Sequence, residues 1–487
     1  MLSQLLKRFT QLKTINLRGF PGDLDEALGE IACSGICLEG LELYGLRLAG
    51  SGTVIELGSN PKMKNLKTLW DLDDDNLVKI ANLFPNLEEL RIMGVERYRY
   101  EIPFATDLGI KYLASKLKFL RKICISDEYI ISDESIIALS ENCVLLTDVT
   151  VSNNRVTEHG IGLLLRNRPN LEALSLSHIM RSSTSNITIE NSISHAKALT
   201  SLTFFTMDIP DTILMEIAKA KLRLKVLQLN TCWSFTVSGL LMVSSNLNKL
   251  EIYGGYDDYI LDAEMELLVK GDLGNLTHIE LSSCKMTSST FLLLLTNCPS
   301  LVEIKMSESE VNGEVGNILV CKNHSIRNID LEYECKFSDE LVKQFLLLFP
   351  NLNHLGLSSC QTFAGIDMAE LMLTGDEINS LEVLRVYNSS GIDGEAIARS
   401  CPRLTSLVIY NCEKLTIEGI KHIVETIKTL RCLYIYNYYV YYGELLDWII
   451  SAGFVDYLKK ILLPTKRYFT EEQRDECLRR GCFLTGR

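Results

Sequence analysis

The chain has 487 residues, of which 47% are apolar and 23% are charged, and its formal net charge is -13. An acidic excess of this size repels a phosphate backbone, so we expect no nucleic-acid partner. No run of about eighteen apolar residues occurs, and Lys7 and Arg8 lie where a signal peptide would be apolar. We therefore expect neither a membrane span nor secretion.

A short pattern, L-x-x-L-x-L-x-x-C, returns along almost the whole chain. Its clearest copies place a cysteine eight residues after the first leucine, at Cys232, Cys284, Cys360 and Cys412. Repetition at a period of about 20 to 50 residues indicates a repeat array. We count 17 candidate repeats, most of them 23 to 29 residues apart, and call the first residue of each its anchor. The anchors are Leu12, Leu38, Leu66, Leu87, Leu120, Leu146, Leu171, Leu199, Leu224, Leu247, Leu276, Leu301, Ile326, Leu352, Leu381, Leu404 and Leu430.

The array is predicted to begin at Leu12, and it is least regular in its third and fourth repeats. The step from Leu66 to Leu87 is 21 residues, and the step from Leu87 to Leu120 is 33 residues. We expect any error in the repeat boundaries to lie there first.

Each repeat has the pattern of a strand followed by a helix. The alternating apolar residues of L-x-x-L-x-L predict a short strand with one buried face. The next stretch carries apolar residues three and four apart, which predicts a helix. Residues suited to cap the helix N-termini are Thr157, Ser338 and Thr416. Residues expected to stop helices at their ends are Pro85, Pro299, Pro350 and Pro402.

The predicted fold class is α/β, a leucine-rich solenoid. One strand and one helix cannot bury their apolar faces alone, but stacked copies can, with a parallel sheet inside and helices outside. Because helices are wider than strands, such an array bends into a horseshoe. We expect about 17 repeats over residues 1–450 and a helical cap over residues 451–487. Trp448, Phe454, Tyr457 and a helix from Glu471 are expected to build that cap.

The cysteines of the repeats are expected to be core residues. A thiol is small and apolar enough to bury, and 15 singly spread cysteines are typical of a reducing compartment, here cytoplasmic or nuclear. No C-x-x-C pair occurs, and the seven histidines form no H-E-x-x-H motif. We therefore expect no metal site, no cofactor and no enzymatic activity.

The side chains two, four and six residues after each anchor are predicted to line the inner face of the sheet. Tyrosines gather there in the last repeats, and acidic residues gather in the middle ones, with Lys249 and Lys305 among them. We hypothesise that a protein segment bearing Lys or Arg lies across repeats ten to seventeen. In the simpler alternative the tyrosines only cover the sheet and the acids are solvated. The candidate binding residues are Glu251, Tyr253, Glu280, Glu303, Asp330, Glu332, Tyr387, Tyr410, Tyr434 and Tyr436.

The pattern resembles the cysteine-containing leucine-rich repeats of F-box/leucine-rich-repeat proteins. The residues that carry the resemblance are the L-x-x-L-x-L-x-x-C strands, the helical pairs Gly160-Ile161, Gly239-Leu240 and Gly419-Ile420, and the Cys-Pro that precedes several strands. It covers Leu12 to Trp448. The resemblance implies a protein-binding solenoid that recognises substrates for a Skp-cullin-F-box (SCF) ubiquitin ligase, and hence a role in ubiquitin-dependent protein degradation.

The F-box itself, a helical segment that precedes the repeats in that family, is not visible in the sequence. A Skp adaptor is therefore expected as a partner only if an F-box lies upstream. The alternative is a scaffold or regulator that works without a ligase and binds a basic protein segment through the same face.

Overall fold

A computed structural model describes the greater part of the chain. The described residues are 8–9, 11–16, 27, 30–31, 34, 36, 40–42, 65–70, 73–93, 105–126, 131–152, 155–181, 185–254, 260–313, 322–331, 335–337, 341, 344–345, 348–358, 380–388, 394–437 and 440–486. The chain divides into two compact units, Met1–Val243 and Ser244–Arg487.

The first unit alternates strands and helices. Its elements are β1 (Thr14–Asn16), β2 (Gly40–Glu42), β3 (Asn65–Trp70), α1 (Asp74–Leu83), β4 (Glu89–Met93), α2 (Asp107–Lys116), β5 (Lys122–Ser126), α3 (Asp133–Asn142), β6 (Asp148–Ser152), α4 (Glu158–Asn167), β7 (Ala173–Ser177), β8 (Ser201–Phe205), α5 (Asp211–Lys219), β9 (Val226–Asn230) and α6 (Val237–Leu241). Strands β3 to β9 pair in sequence order, all in parallel, and β1 pairs in parallel with β2.

The second unit is built in the same way. Its elements are β10 (Lys249–Tyr253), α7 (Asp262–Val269), β11 (His278–Ser282), β12 (Lys285–Thr287), α8 (Ser288–Asn297), β13 (Glu303–Ser307), β14 (Glu310–Asn312), β15 (Asn328–Leu331), β16 (Lys336–Phe337), β17 (His354–Ser358), β18 (Val383–Tyr387), α9 (Gly394–Ser400), β19 (Ser406–Tyr410), α10 (Ile417–Thr426), β20 (Cys432–Tyr436), α11 (Tyr442–Ser451), β21 (Lys460–Leu463), α12 (Glu471–Arg479) and β22 (Phe483–Gly486). One parallel sheet runs β10-β11-β13-β15-β17 and on through β22, and β12, β14 and β16 form a small second sheet.

These elements confirm an α/β fold with parallel sheets and helices. From Leu87 to Leu430, a strand begins two residues after each predicted anchor, as β19 does after Leu404. Within β19, Leu407 and Ile409 are buried while the alternate side chains are half-buried. The core therefore lies on one face of each sheet, and the other face, which carries positions two, four and six of each repeat, is here called the open face.

One predicted anchor is wrong. The sheet pairs Leu66 with Leu90, which lies three residues after its own anchor, so Leu66 occupies an interior strand position. The register between β3 and β4 shifts between Leu66 and Leu69. The shift places the interior leucines Leu66 and Leu69 three residues apart instead of two, which imitates the L-x-x-L at the start of a repeat and explains why the sequence pattern misplaces this one.

The segment 451–487 contains strands as well as the predicted helix. Strands β21 and β22 continue the parallel sheet beyond β20. The predicted aromatic residues pack together: the ring centroids of Trp448 and Phe454 are 4.8 Å apart, and those of Phe454 and Tyr457 are 5.8 Å apart. The Tyr457 hydroxyl also donates to the Val424 carbonyl at 2.5 Å, which ties this segment to α10.

A carboxylate at the start of one helix holds the N-cap of the next. Asp133, the first residue of α3, accepts hydrogen bonds from the backbone N–H and the hydroxyl of Thr157, both at 2.7 Å. Asp211 accepts the same two bonds from Thr236, at 2.8 and 2.7 Å. Thr157 in turn caps α4, as predicted. Successive helices are thus joined by charge-assisted hydrogen bonds at their N-termini.

This arrangement explains why glycine follows two of these caps. A Cβ atom on Gly160 would lie 2.5 Å from the Asp133 Oδ1 atom, and one on Gly239 would lie 2.1 Å from the Asp211 Oδ1 atom. Only a residue without a side chain leaves space for the carboxylate of the preceding helix.

The turns after several strands share a recurring backbone conformation. The seventh residue after several anchors has a positive φ although it is not glycine: His178, Thr206, Thr231, Ser283, Glu308, Asn388 and Asn411. The N–H of Asn411 donates to the Tyr436 carbonyl at 2.6 Å, and the N–H of Asn388 donates to the Tyr410 carbonyl at 2.7 Å. The left-handed residue thus closes the end of its strand onto the next one.

The Asp107 carboxylate accepts hydrogen bonds from Ser132, the N-cap residue of α3, and should make the stability of the protein sensitive to acid. Burial raises the pKa of Asp107, but hydrogen bonds from Ser132 and Ser135 outweigh it, so the pKa lies below its ordinary value of 3.8. A lowered folded-state pKa contributes stability that is present above the unfolded pKa and is lost as pH falls through the folded one. We expect Asp107→Asn to be less stable than the parent at neutral pH. Urea unfolding at successive pH values should show the difference shrinking below about pH 4. A difference that does not change with pH would contradict this assignment.

Candidate functional site

Three tyrosines at the ends of neighbouring strands form a continuous row. Tyr387 pairs with Tyr410 between β18 and β19, and Tyr410 pairs with Tyr436 between β19 and β20. Their ring centroids are 6.0 Å and 4.4 Å apart, and the second pair is stacked with an interplanar angle of 8°. Parallel strands in register carry equivalent side chains at the same height, so the spacing of the rings follows from the spacing of the strands.

The row borders a shallow depression on the open face. Val408, Tyr410, Tyr434, Tyr436 and Leu462 are among the residues that line it. The Lys460 Nζ atom lies 5.4 Å from the centroid of the Tyr434 ring, within range of a cation–π interaction. We call Tyr387, Tyr410, Tyr434 and Tyr436 the tyrosine cluster.

The tyrosine cluster is half-buried and does not belong to the core. Each of its four side chains alternates with a buried neighbour, as Tyr434 and Tyr436 do with Leu433 and Ile435. All four side chains lie on one face of the sheet, and the rings of Tyr387, Tyr410 and Tyr436 are neighbours in the row. Rings held at fixed spacing offer a large contact area at little cost in conformational entropy.

Four of the predicted acidic residues, Glu251, Glu280, Glu303 and Asp330, lie on the open face of β10 to β15, and each has a polar partner within the protein. Glu251 pairs with Lys249, and Tyr253 donates its hydroxyl to Glu280. Burial, followed by this bond to Glu280, raises the pKa of Tyr253 above its ordinary range.

The next carboxylates along the sheet are paired as well. The Glu303 carboxylate lies 3.0 Å from the Lys305 Nζ atom and 3.6 Å from the His278 Nε2 atom. The hydrogen bond to Glu303 raises the pKa of Lys305. We call Glu251, Glu280, Glu303 and Asp330 the acidic network. Glu251 and Glu303 each form an ion pair with a lysine, and Glu280 accepts a hydrogen bond from the neutral Tyr253 hydroxyl.

An ion pair across two strand spacings joins Asp330 to Arg385, which lies on the same strand as Tyr387 of the tyrosine cluster. The Arg385 guanidinium lies 3.5 Å from the Asp330 carboxylate, although β17 runs between their strands. Gly356 in β17 makes this possible, because a Cβ atom there would lie 2.0 Å from the Asp330 Oδ1 atom. His354 is also 3.8 Å from this carboxylate. Glu251 and Asp330 are only 6% and 7% exposed, so neither is a solvated surface acid.

The structure thus divides the predicted site into two groups. The four members of the tyrosine cluster lie together on β18 to β20, whereas Glu251, Tyr253, Glu280, Glu303 and Asp330 lie on β10 to β15. Glu332 lies outside the described residues. Lys460 was missed from sequence because residues 451–487 were expected to form a helical cap, whereas Lys460 lies on β21 beside the tyrosine cluster.

Comparison with known proteins gives no further identification. No protein-family model and no curated protein matches this chain. The arrangement of its own residues therefore carries the functional argument.

The cysteines of the repeats are core residues, as predicted. Cys232, Cys284 and Cys412 are buried, and the Cys412 thiol donates to the Tyr410 carbonyl at 3.4 Å. Burial raises the pKa of the Cys232 thiol to about 11 and that of the Cys284 thiol to about 12. Such thiols are protonated at neutral pH and are poor nucleophiles. Cys360 lies outside the described residues.

Two general features complete the description of possible sites. Among the residues that the structure describes, no group of three or more His, Cys, Asp or Glu side chains is placed to hold a metal ion. In the same residues, every helix is too short or too polar to cross a lipid bilayer.

Proposed function

We propose that the chain is a protein-recognition module whose two units are built from leucine-rich repeats. The observation that supports this most strongly is the tyrosine cluster, a rigid aromatic surface on the open face of a regular parallel sheet. A leucine-rich horseshoe is built from strands that recur at a fixed position in each repeat, and here the strands from Leu87 to Leu430 begin two residues after their anchors. The open face of such a repeat carries variable side chains, which makes it suitable for binding another protein.

We further propose, from the resemblance of the repeats, that this recognition selects substrates for an SCF-type ubiquitin ligase. The chain would then supply binding and no catalysis, without a cofactor, in the cytoplasm or nucleus. The raised thiol pKa values of Cys232 and Cys284 support a non-enzymatic role for the cysteines. Without a ligase, the same surface would serve a scaffold or regulator.

Affinity capture of the full chain from a lysate tests the ligase proposal. Recovery of a Skp adaptor and a cullin together with a target protein is the expected result. Stable recovery of a target without either ligase component would overturn the ligase role and leave protein recognition in place.

Removing the tyrosines should weaken capture of the target without unfolding the protein. We expect Tyr410→Ala combined with Tyr436→Ala to reduce the captured target about tenfold or more, since aromatic anchors of this kind contribute about 2 kcal/mol or more to binding. Quantitative capture followed by immunoblotting gives the measurement, and thermal unfolding checks the fold.

Tyr441→Ala is the matched control for this experiment. Tyr441 is 82% exposed and lies in the same unit but outside the tyrosine cluster. Its removal is expected to leave capture unchanged. Equal capture by the parent and the double variant would count against the tyrosine cluster as the binding surface.

A further inference from the structure

The charges beside the tyrosine cluster are positive, the same sign as the basic protein segment expected from sequence to bind there. The open face of β18 to β21 is formed by the side chains at alternate positions of these strands: Val383, Arg385, Tyr387, Ser406, Val408, Tyr410, Cys432, Tyr434, Tyr436, Lys460 and Leu462. Its charged members are Arg385 and Lys460, and both are cationic. The carboxylates of the acidic network lie on β10 to β15, where Glu251 and Glu303 form ion pairs with Lys249 and Lys305.

Lys460 is the better placed of the two cations. It is exposed, its ammonium group lies against the Tyr434 ring at 5.4 Å, and in the described parts of the chain it forms no ion pair. An ammonium held over an aromatic ring at the edge of a depression remains available to an anion that approaches the same depression.

From this distribution of charge we infer that the tyrosine cluster receives an acidic protein segment, with a carboxylate of the partner on Lys460 and an apolar side chain over Val408 and Leu462. The inference rests on the proposed function and specifies the partner. It replaces, for this part of the open face, the basic segment expected from sequence. Arg385, which is shared with Asp330, provides a second cationic position at the other side of the cluster.

The spacing of the two cations limits the segment that could reach both. Three strand steps of about 4.8 Å and an offset of two residues along the strands place them about 16 Å apart. An extended chain advances about 3.3 to 3.6 Å per residue, so two carboxylates about five residues apart would match.

A random peptide library displayed on phage provides the test, because it does not assume a partner. Peptides are selected on the full chain and are kept only if they fail to bind the Tyr410→Ala, Tyr436→Ala double variant. We expect the retained peptides to be rich in Asp and Glu. Their affinity, measured by fluorescence anisotropy at low salt, should fall about fivefold with Lys460→Glu, consistent with reversal of an exposed charge pair.

Lys459→Glu is the matched control, since it makes the same change in net charge at the adjacent residue. The Lys459 side chain is exposed but lies outside the alternating open-face positions. It should leave affinity nearly unchanged. Tyrosine-dependent peptides that are basic or neutral, or that are indifferent to Lys460→Glu, would overturn the acidic partner while leaving protein recognition intact. Recovery of no tyrosine-dependent peptide would overturn both.

Discussion

Gly239→Ala is expected to destabilise the protein by about 2 kcal/mol, although alanine is normally the better helix former. The new Cβ atom would lie 2.1 Å from the Asp211 Oδ1 atom and 2.6 Å from the Asp211 Cγ atom. The carboxylate would have to move away from Thr236 and give up the two hydrogen bonds that join α5 to α6. Urea unfolding followed by circular dichroism measures the loss.

Gly443→Ala provides the matched control for this prediction. Gly443 is also helical, in α11, but no heavy atom lies within 4 Å of the position of its added Cβ. We expect this change to stabilise the protein by up to about 1 kcal/mol, the difference in helix propensity between the two residues. If the two variants shifted stability in the same direction, the carboxylate contact would not be the cause.

The same contact can be tested by coupling two substitutions. With Asp211→Ala already present, Gly239→Ala should cost much less than in the parent, because the atoms it collides with are gone. Residues in direct contact commonly show coupling of about 0.5 to 3 kcal/mol in such cycles. Additive effects would show that Gly239 and Asp211 act independently.

Phe291→Ala is expected to cost about 3 to 5 kcal/mol, the largest effect predicted here. Phe291 on α8 is fully buried and packs edge-to-face against Phe345, with ring centroids 5.9 Å apart. Phe345 in turn lies 6.1 Å from Phe349. Truncation would remove the transfer free energy of the ring and leave a cavity that rigid neighbours cannot fill.

Phe119→Ala separates burial from the mere loss of an aromatic ring. Phe119 is 51% exposed, so we expect its removal to change stability by no more than about 0.5 kcal/mol. Chemical denaturation of both variants gives the comparison. A loss at Phe291 no greater than that at Phe119 would contradict the packing described for this part of the second unit.

The repeating leucines predicted most of the strand positions because alternation and period leave few choices. Once Leu404 is an anchor, the strand Ser406–Tyr410 and its buried residues Leu407 and Ile409 follow from period-two geometry. The tyrosine cluster follows by the same reasoning, since strands in register align equivalent positions. The error at Leu66 arose where an irregular strand breaks that register.

The charge pairs of the open face could not be predicted in the same way. Asp330 and Arg385 lie two strand spacings apart, so they pair only because the Arg385 side chain is long. The pair also requires that Gly356, on the strand between them, has no side chain. None of these has a periodic signature. The sequence therefore showed a run of acids, whereas in the structure Glu251, Glu303 and Asp330 form ion pairs and the charged side chains beside the tyrosines are the cations Arg385 and Lys460.

The left-handed residue that closes several of the strands limits where this chain tolerates a change in length. From the anchor to that turn, repeats such as those at Leu381 and Leu404 have the same number of residues and the same backbone hydrogen bond to the next strand. An inserted or deleted residue inside that block would move a core leucine outward. We therefore expect insertions and deletions to be tolerated only on the helical side of such a repeat, where the register of the open face stays unchanged.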